Sequence, residues 1–338
     1  MDQGEGRPST RRRRFSPRLF VHLALVAGMS GCAQGPSAFP EPRAYTAPES
    51  LASPAAHFYG NDWMYSSQPS GNEVVVYKRK KKGDALTYYE TLSSGFNQPM
   101  GMVATPDGKL YVANSGDSNV PVYRTTRKGP EGPIATLGDS GEVPVNVDVT
   151  PDRRLVAVSN QSTTGGGAGS VTVYRDRQNQ PSRVLTYGSD PIEGEGIAID
   201  SNGNCYWSFN DPKTLTGSIV EFARCKGRGS LFATGILDVG GLAFDQSGNL
   251  YFVDQIAGIY KCAGPSSCSL FLSVGSLLGE LLFPKNINFD NKNPNNLWVS
   301  DAAGFLDAVN LDGLIVYYVQ TIGGILDPPI GVAPAPGS

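Results

Sequence analysis

The stretch Gly241 to Asp254 reads GLAFDQSGNLYFVD, with small or apolar residues alternating up to Phe244, a polar reversal at Asp245 to Asn249, and alternation again up to Asp254. Alternation with period two on both sides of an Asn/Gly reversal is the pattern of an antiparallel hairpin. The same pattern recurs as GMVATPDGKLYVANS from Gly101, NVDVTPDRRLVAVSN from Asn146, GIAIDSNGNCYWSFN from Gly196 and NINFDNKNPNNLWVSD from Asn286, and it ends the chain as GVAPAPGS from Gly331. The anchors are spaced by 45, 50, 45, 45 and 45 residues, and the longer step contains the Gly-rich segment from Ser162 to Ser170. A period of this length points to a propeller or solenoid.

Within one unit, Gly101–Thr105, Leu110–Asn114, Val120–Arg124 and Pro133–Leu137 read as four successive strands. A four-stranded meander with two apolar faces buries both only between neighbouring sheets, and a ring provides that for every sheet. The ends of the chain set the count. Asp62–Ser67 and Glu73–Arg79 match the second and third strands of a unit with no first strand before them, and the C-terminal repeat supplies a first strand with nothing after it. Joining the two removes an unpaired edge at each end. The expectation is an all-β fold, a six-bladed β-propeller of four-stranded antiparallel blades, closed by the C-terminal strand joining the N-terminal blade. It should occupy residues 57–338.

The repeats resemble the NHL-repeat and gluconolactonase-like six-bladed propellers, whose units read approximately P-x-G-[IL]-A-[VI]-D-x-x-G-N-L-Y-V-[AS]-D. Gly241–Asp254 and Gly196–Ser208 carry the likeness best. It implies the fold; binding proteins and enzymes share the repeat, so it does not decide the chemistry.

Ahead of the ring, the basic run Arg11–Arg14 and the short apolar stretch Leu19–Ser30 have the layout of a secretory signal over residues 1–31. The ending Met29-Ser30-Gly31-Cys32 resembles the bacterial lipoprotein signal, which implies lipidation of Cys32, and Arg12–Phe15 faintly resembles a twin-arginine signal. The alternative for Cys32 is a small residue near an ordinary cleavage site. Residues 32–56, rich in Pro, Ala and Ser, read as a tether. The expected location is therefore the cell envelope, periplasmic or extracellular, with membrane attachment through the N-terminal lipid. Loss of residues 1–31 removes six Arg and two acids, taking the formal charge from −3 to −7, which disfavours a nucleic acid partner. Lys78–Lys82 reads as a solvated hairpin, or alternatively as a contact to an anionic surface.

Four further cysteines suit two disulfides in an oxidising compartment. Cys205 opens a second strand and Cys225 ends the third, and Cys262 ends a third strand six residues before Cys268, so the pairs are Cys205–Cys225 and Cys262–Cys268. These spacings, with no nearby His, do not match a structural zinc pattern. Free buried thiols are the other reading. His57 is the one histidine after the signal, which argues against a His-based triad and against the chemistry of propeller lyases that resemble the streptogramin-inactivating enzyme.

In gluconolactonase-like enzymes a divalent cation, usually calcium, is held by side chains several of which precede the repeat Gly. The matching positions here are Met100, Val145, Glu195, Gly240, Lys285 and Ile330, so the family's site does not carry over. Glu195 and Lys285 read instead as a charge pair at the channel mouth. Asn114, Asn160, Asn210, Asp254 and Asp301 all close second strands. Turn chemistry explains such recurrence, and a polar rim for a ligand is the functional alternative. Glu195, Asp254 and Asp301 are the least implausible ligands were calcium bound. Trp63, Trp207 and Trp298, with Tyr111 and Tyr251, suit inter-blade packing or, alternatively, a stacking platform. Gly165–Ser170 lacks the Lys of a phosphate loop and reads as a flexible insertion on one face.

The functional expectation is a non-catalytic binding or scaffolding module for an envelope protein, peptide or glycan, without a cofactor. The alternative is a divalent-metal-dependent lactonase or esterase.

Overall fold

In the computed structural model, the described residues are 62–335 apart from 81–84, 151, 176–177, 189–191, 276–280, 291–292, 314, 322–323 and 325. The signal segment, Cys32, the tether and His57 lie outside them. Six four-stranded antiparallel sheets form a closed propeller. Blades 2 to 6 span residues 99–138, 142–185, 193–236, 239–273 and 284–320. Blade 1 takes three strands from residues 63–92 and its first strand, Gly331–Pro334, from the other end of the chain. Met64 pairs with Pro334 and Ser67 with Gly331, the closure expected from the two incomplete repeats.

Local chemistry explains the repeat. In blades 4 and 5 the turn between the first two strands is an Asp clasp. Asp200 accepts the backbone N–H groups of Asn202 and Asn204 and the Asn204 side-chain amide, and Asp245 does the same for Ser247 and Asn249. Asp290, at the equivalent place in blade 6, is used differently. It is fully buried and accepts both arms of Arg79 from blade 1, at 2.8 and 2.5 Å, together with the indole N–H of Trp298. The last blade is thus tied to the first by an ion pair, in addition to the pairing of the two chain ends within blade 1.

Trp63, Trp207 and Trp298 are each at most 2% exposed, which settles them as packing residues between blades. Trp207, for example, packs with Phe209, Phe222, Leu185 and Ile192 across blades 3 and 4. The disulfides Cys205–Cys225 and Cys262–Cys268 are both formed.

Strand parity gives the disc two distinct faces. Connections from second to third strands and from blade to blade lie on one face, the upper; those from first to second and from third to fourth strands lie on the lower. The chain enters at Trp63 on the lower face, where Ala335 donates its N–H to Trp63 O.

Candidate functional site at the upper channel mouth

The first strand of each blade lines the axis. In blades 2 to 6 its pairing slips at the anchor, between Pro99 and Met102, Pro144 and Asn146, Gly194 and Ile197, Val239 and Leu242, and Pro284 and Asn286. A bulge re-aims the side chains beside it, and these five shape the top of the channel.

Glu195 sits in the bulge of blade 4 and Lys285 in that of blade 6, and the blade between them supplies Asp238 and Gln255. Lys285 Nζ donates to Gln255 Oε1, and Gln255 Nε2 donates to Asp238 Oδ1 at 3.3 Å. Asn210 Nδ2 also donates to Asp238, at 2.9 Å. Burial is the main cause that pushes the Glu195 carboxyl up to about 8; the Asp238 charge adds to the rise, and the Lys285 charge opposes it. Burial raises Asp238 as well, against the pull of Lys285. The expected Glu195–Lys285 pair is thus part of a wider cluster, in which Lys285 is bonded to Gln255 and acts on both acids through its field. So raised, the Glu195 carboxyl keeps its proton to higher pH than a free carboxyl, and in that form it can donate a hydrogen bond.

The anchors form the waist. Four are Gly, and the two Asn anchors, Asn146 and Asn286, stand three blades apart, directly across the axis. Asn146 Nδ2 donates to Asn286 Oδ1 at 3.5 Å. Glycine is required beside them: a Cβ at Gly101 would lie 2.6 Å from Asn146 Oδ1, and one at Gly241 would collide with Asn286 Oδ1. Below the waist is a cavity of 290 Å³ lined by Val103, Asp148, Ala243 and Asn288 among others. Asp148 accepts N–H groups from Val149 and Ile199, and burial pushes its carboxyl up to about 7.

Four of the five residues that close second strands hold backbone. Asn114 accepts the N–H of Asn97, and Asn210 that of Val239. Asp254 accepts those of Leu237, Ile256 and Ala257, and Asp301 those of Leu282, Phe283 and Ala303. Asn160 donates to Ser170 and Thr172. Asn114, Asn210, Asp254 and Asp301 each fix a loop at the upper face, whereas Asn160 bonds hydroxyls of the adjacent strand. Calcium needs six or more oxygen ligands converging on one point. Here the carboxylates of Asp254 and Asp301 point at amides while Glu195 shares its surroundings with an ammonium, so the three do not fit a cage. Among the described residues no group of three or more His, Cys, Asp or Glu could hold a metal ion.

Sequence reasoning missed Asp238, Gln255 and Asp148. It also missed an apolar set on the upper face: Leu215, Leu237, Ile256, Phe283 and Leu326 all sit on upper-face loops of the adjacent blades 4, 5, 6 and 1, and all are more than half exposed. The other exposed large hydrophobics among the described residues, such as Tyr88, Val184 and Tyr318, lie on the outermost strands. Leu215 is 77% exposed and has φ +56°, a left-handed conformation that a leucine adopts at a cost and here without packing in return.

No protein-family model and no curated protein matches the chain. Solved structures match in fold. A functionally unknown protein from Desulfotomaculum acetoxidans DSM 771 is 17% identical, covering 80% of this chain and 84% of that one, with a TM-score of 0.51. A calcium-binding protein, regucalcin, from Agrobacterium tumefaciens C58 is 12% identical over 70% and 77% of the two chains, with a TM-score of 0.51. A 6-phosphogluconolactonase candidate from Bacteroides fragilis NCTC 9343 is 16% identical over 79% and 84%, also with a TM-score of 0.51. At these identities the likeness is one of architecture.

Proposed function

We propose that the propeller is a non-catalytic binding module whose upper face docks a protein or peptide outside the cytoplasm. The observation that carries this reading is the set of exposed apolar side chains that four adjacent blades present on the upper face, the face that also holds the polar mouth. Exposed apolar side chains gathered on one face beside polar groups mark interaction sites. A glycan is a poorer fit, because sugar stacking needs exposed aromatic faces and the tryptophans are buried. The acids on the upper-face loops, Glu193, Asp211 and Asp327, favour a partner that brings Lys or Arg between apolar residues. Two disulfides support an oxidising compartment, and the lipid anchor read from Cys32 would hold the module at the envelope. A metal-dependent lactonase remains the competing reading through the names of the structural neighbours alone.

The test is crosslinking in the native envelope with the parent and with Leu215→Asn. Asn tolerates the left-handed conformation, so the variant should fold at least as stably as the parent, while losing a capture that the lower-face variant Arg127→Gln retains. Equal capture by both variants, or chelator-sensitive lactone hydrolysis with stoichiometric calcium, would sink the proposal.

A further inference from the structure

The same strand parity sorts charge. Among the described lysines and arginines only Lys213 and Lys285 lie on the upper face; the others cluster at the lower ends of strands and in the lower turns. The exposed ones run through four adjacent blades, including Lys80 in blade 1, Arg127 and Lys128 in blade 2, Arg154 and Arg175 in blade 3, and Arg228 in blade 4. Between blades 2 and 3 they border a 640 Å³ cleft that Lys109, Arg124, Arg127 and Arg153 line with Asp107. Asp107 bonds Lys109 and Arg153, each at 3.2 Å, which leaves that cleft with more positive than negative charge. Acids stand on the lower face as well, among them Asp107, Glu131, Asp152, Asp200, Glu221 and Asp245, but among the described residues Lys and Arg outnumber them there, whereas the upper face sets Glu193, Asp211, Asp238 and Asp327 against its two lysines. An acidic protein overall thus has one basic face.

We propose that this lower face lies against an anionic phospholipid bilayer, with the upper face turned outward. Three observations converge on that occupant. Clustered Lys and Arg are drawn to anionic headgroups within a Debye length of the surface. The array spreads over four blades rather than converging on one pocket, so it matches an extended surface. The chain also enters the ring at Trp63 on this face, close to where its last described residue, Ala335, is bonded, so an anchor at Cys32 would pull this face toward the membrane. No helix among the described residues is long and apolar enough to cross a membrane, so the contact is peripheral. The orientation, though not the charge attraction, rests on the lipid-anchor reading.

The full chain with Cys32→Ser, which cannot be acylated there, separates the two. It should sediment with phosphatidylglycerol-containing vesicles but not with pure phosphatidylcholine, and salt should release it. Arg127→Glu/Lys128→Glu/Arg154→Glu should bind at least about tenfold more weakly, from roughly a kcal/mol per basic residue near the surface. Lys213→Glu should bind as the parent does. Lys226→Gln/Arg228→Gln, milder and in an exposed turn, provides a second reading with its fold checked by circular dichroism. Equal binding to neutral vesicles, undiminished binding by both basic-face variants, or retention on nucleic acid but not on anionic vesicles would overturn the proposal. Mass spectrometry of the native N-terminus tests the anchor independently.

Discussion

Replacing Asp290 with Ala tests the seam that closes the ring. In the folded protein Arg79 and Asp290 are buried together, their side chains 2% and 0% exposed, with two hydrogen bonds between them and a third from Trp298 to the same carboxylate. Removing one partner of such a pair strands a buried charge, at a cost of about 3–5 kcal/mol. Trp298 also loses an acceptor, a loss that overlaps with the first and does not simply add to it. The expected destabilisation is about 4 kcal/mol, roughly a thousandfold in the ratio of folded to unfolded protein. Removing both charges in Arg79→Met/Asp290→Leu should recover most of it, because well-packed apolar residues replace a buried pair at little net cost. Urea unfolding followed by tryptophan fluorescence reads both. If Asp290→Ala costs less than about 1 kcal/mol, or the double variant falls as far as the single one, the seam does not hold the ring as argued.

Two further outcomes follow from the site and its cross-links. Glu195 titrates near 8 in the folded ring against an ordinary value of 4.5, so between these values the folded state carries the extra proton and stability falls as pH rises; Glu195→Gln should flatten that decline, and melting curves at about pH 5.5 and pH 8 would show whether it does. Opening Cys205–Cys225, which closes a 20-residue separation, with Cys205→Ala/Cys225→Ala should cost roughly 3 kcal/mol by loop entropy, and a thermal midpoint unchanged from the parent would show that the hairpin holds without the cross-link.

The ring was legible because its signal is repeated. Each anchor, reversal and alternating run recurs, so a misread residue in one unit is outvoted by the others, and the incomplete units at the two ends specify how the circle shuts. The mouth was legible only in part. Glu195 and Lys285 depart from the repeat at one position and so drew notice, but Asp238 and Gln255 sit in connections whose length and sequence vary, where no pattern marks them. Asn146 and Asn286 are plain in the alignment as departures from Gly, yet their meeting across the axis emerges only once blades are counted around a circle. Net charge is silent on sidedness, since a sum over residues erases the side on which each one lies. Only part of what Asp254 and Asp301 do is local: the N–H groups of Ile256, Ala257 and Ala303 lie two or three residues onward, whereas those of Leu237, Leu282 and Phe283 belong to the connection that precedes each blade.

The amide bridge at the waist works as a crossbar, joining opposite walls of the ring at blades 3 and 6. Replacing either asparagine with Ala removes the span, and the glycines packed against them offer no side chain to rebuild it.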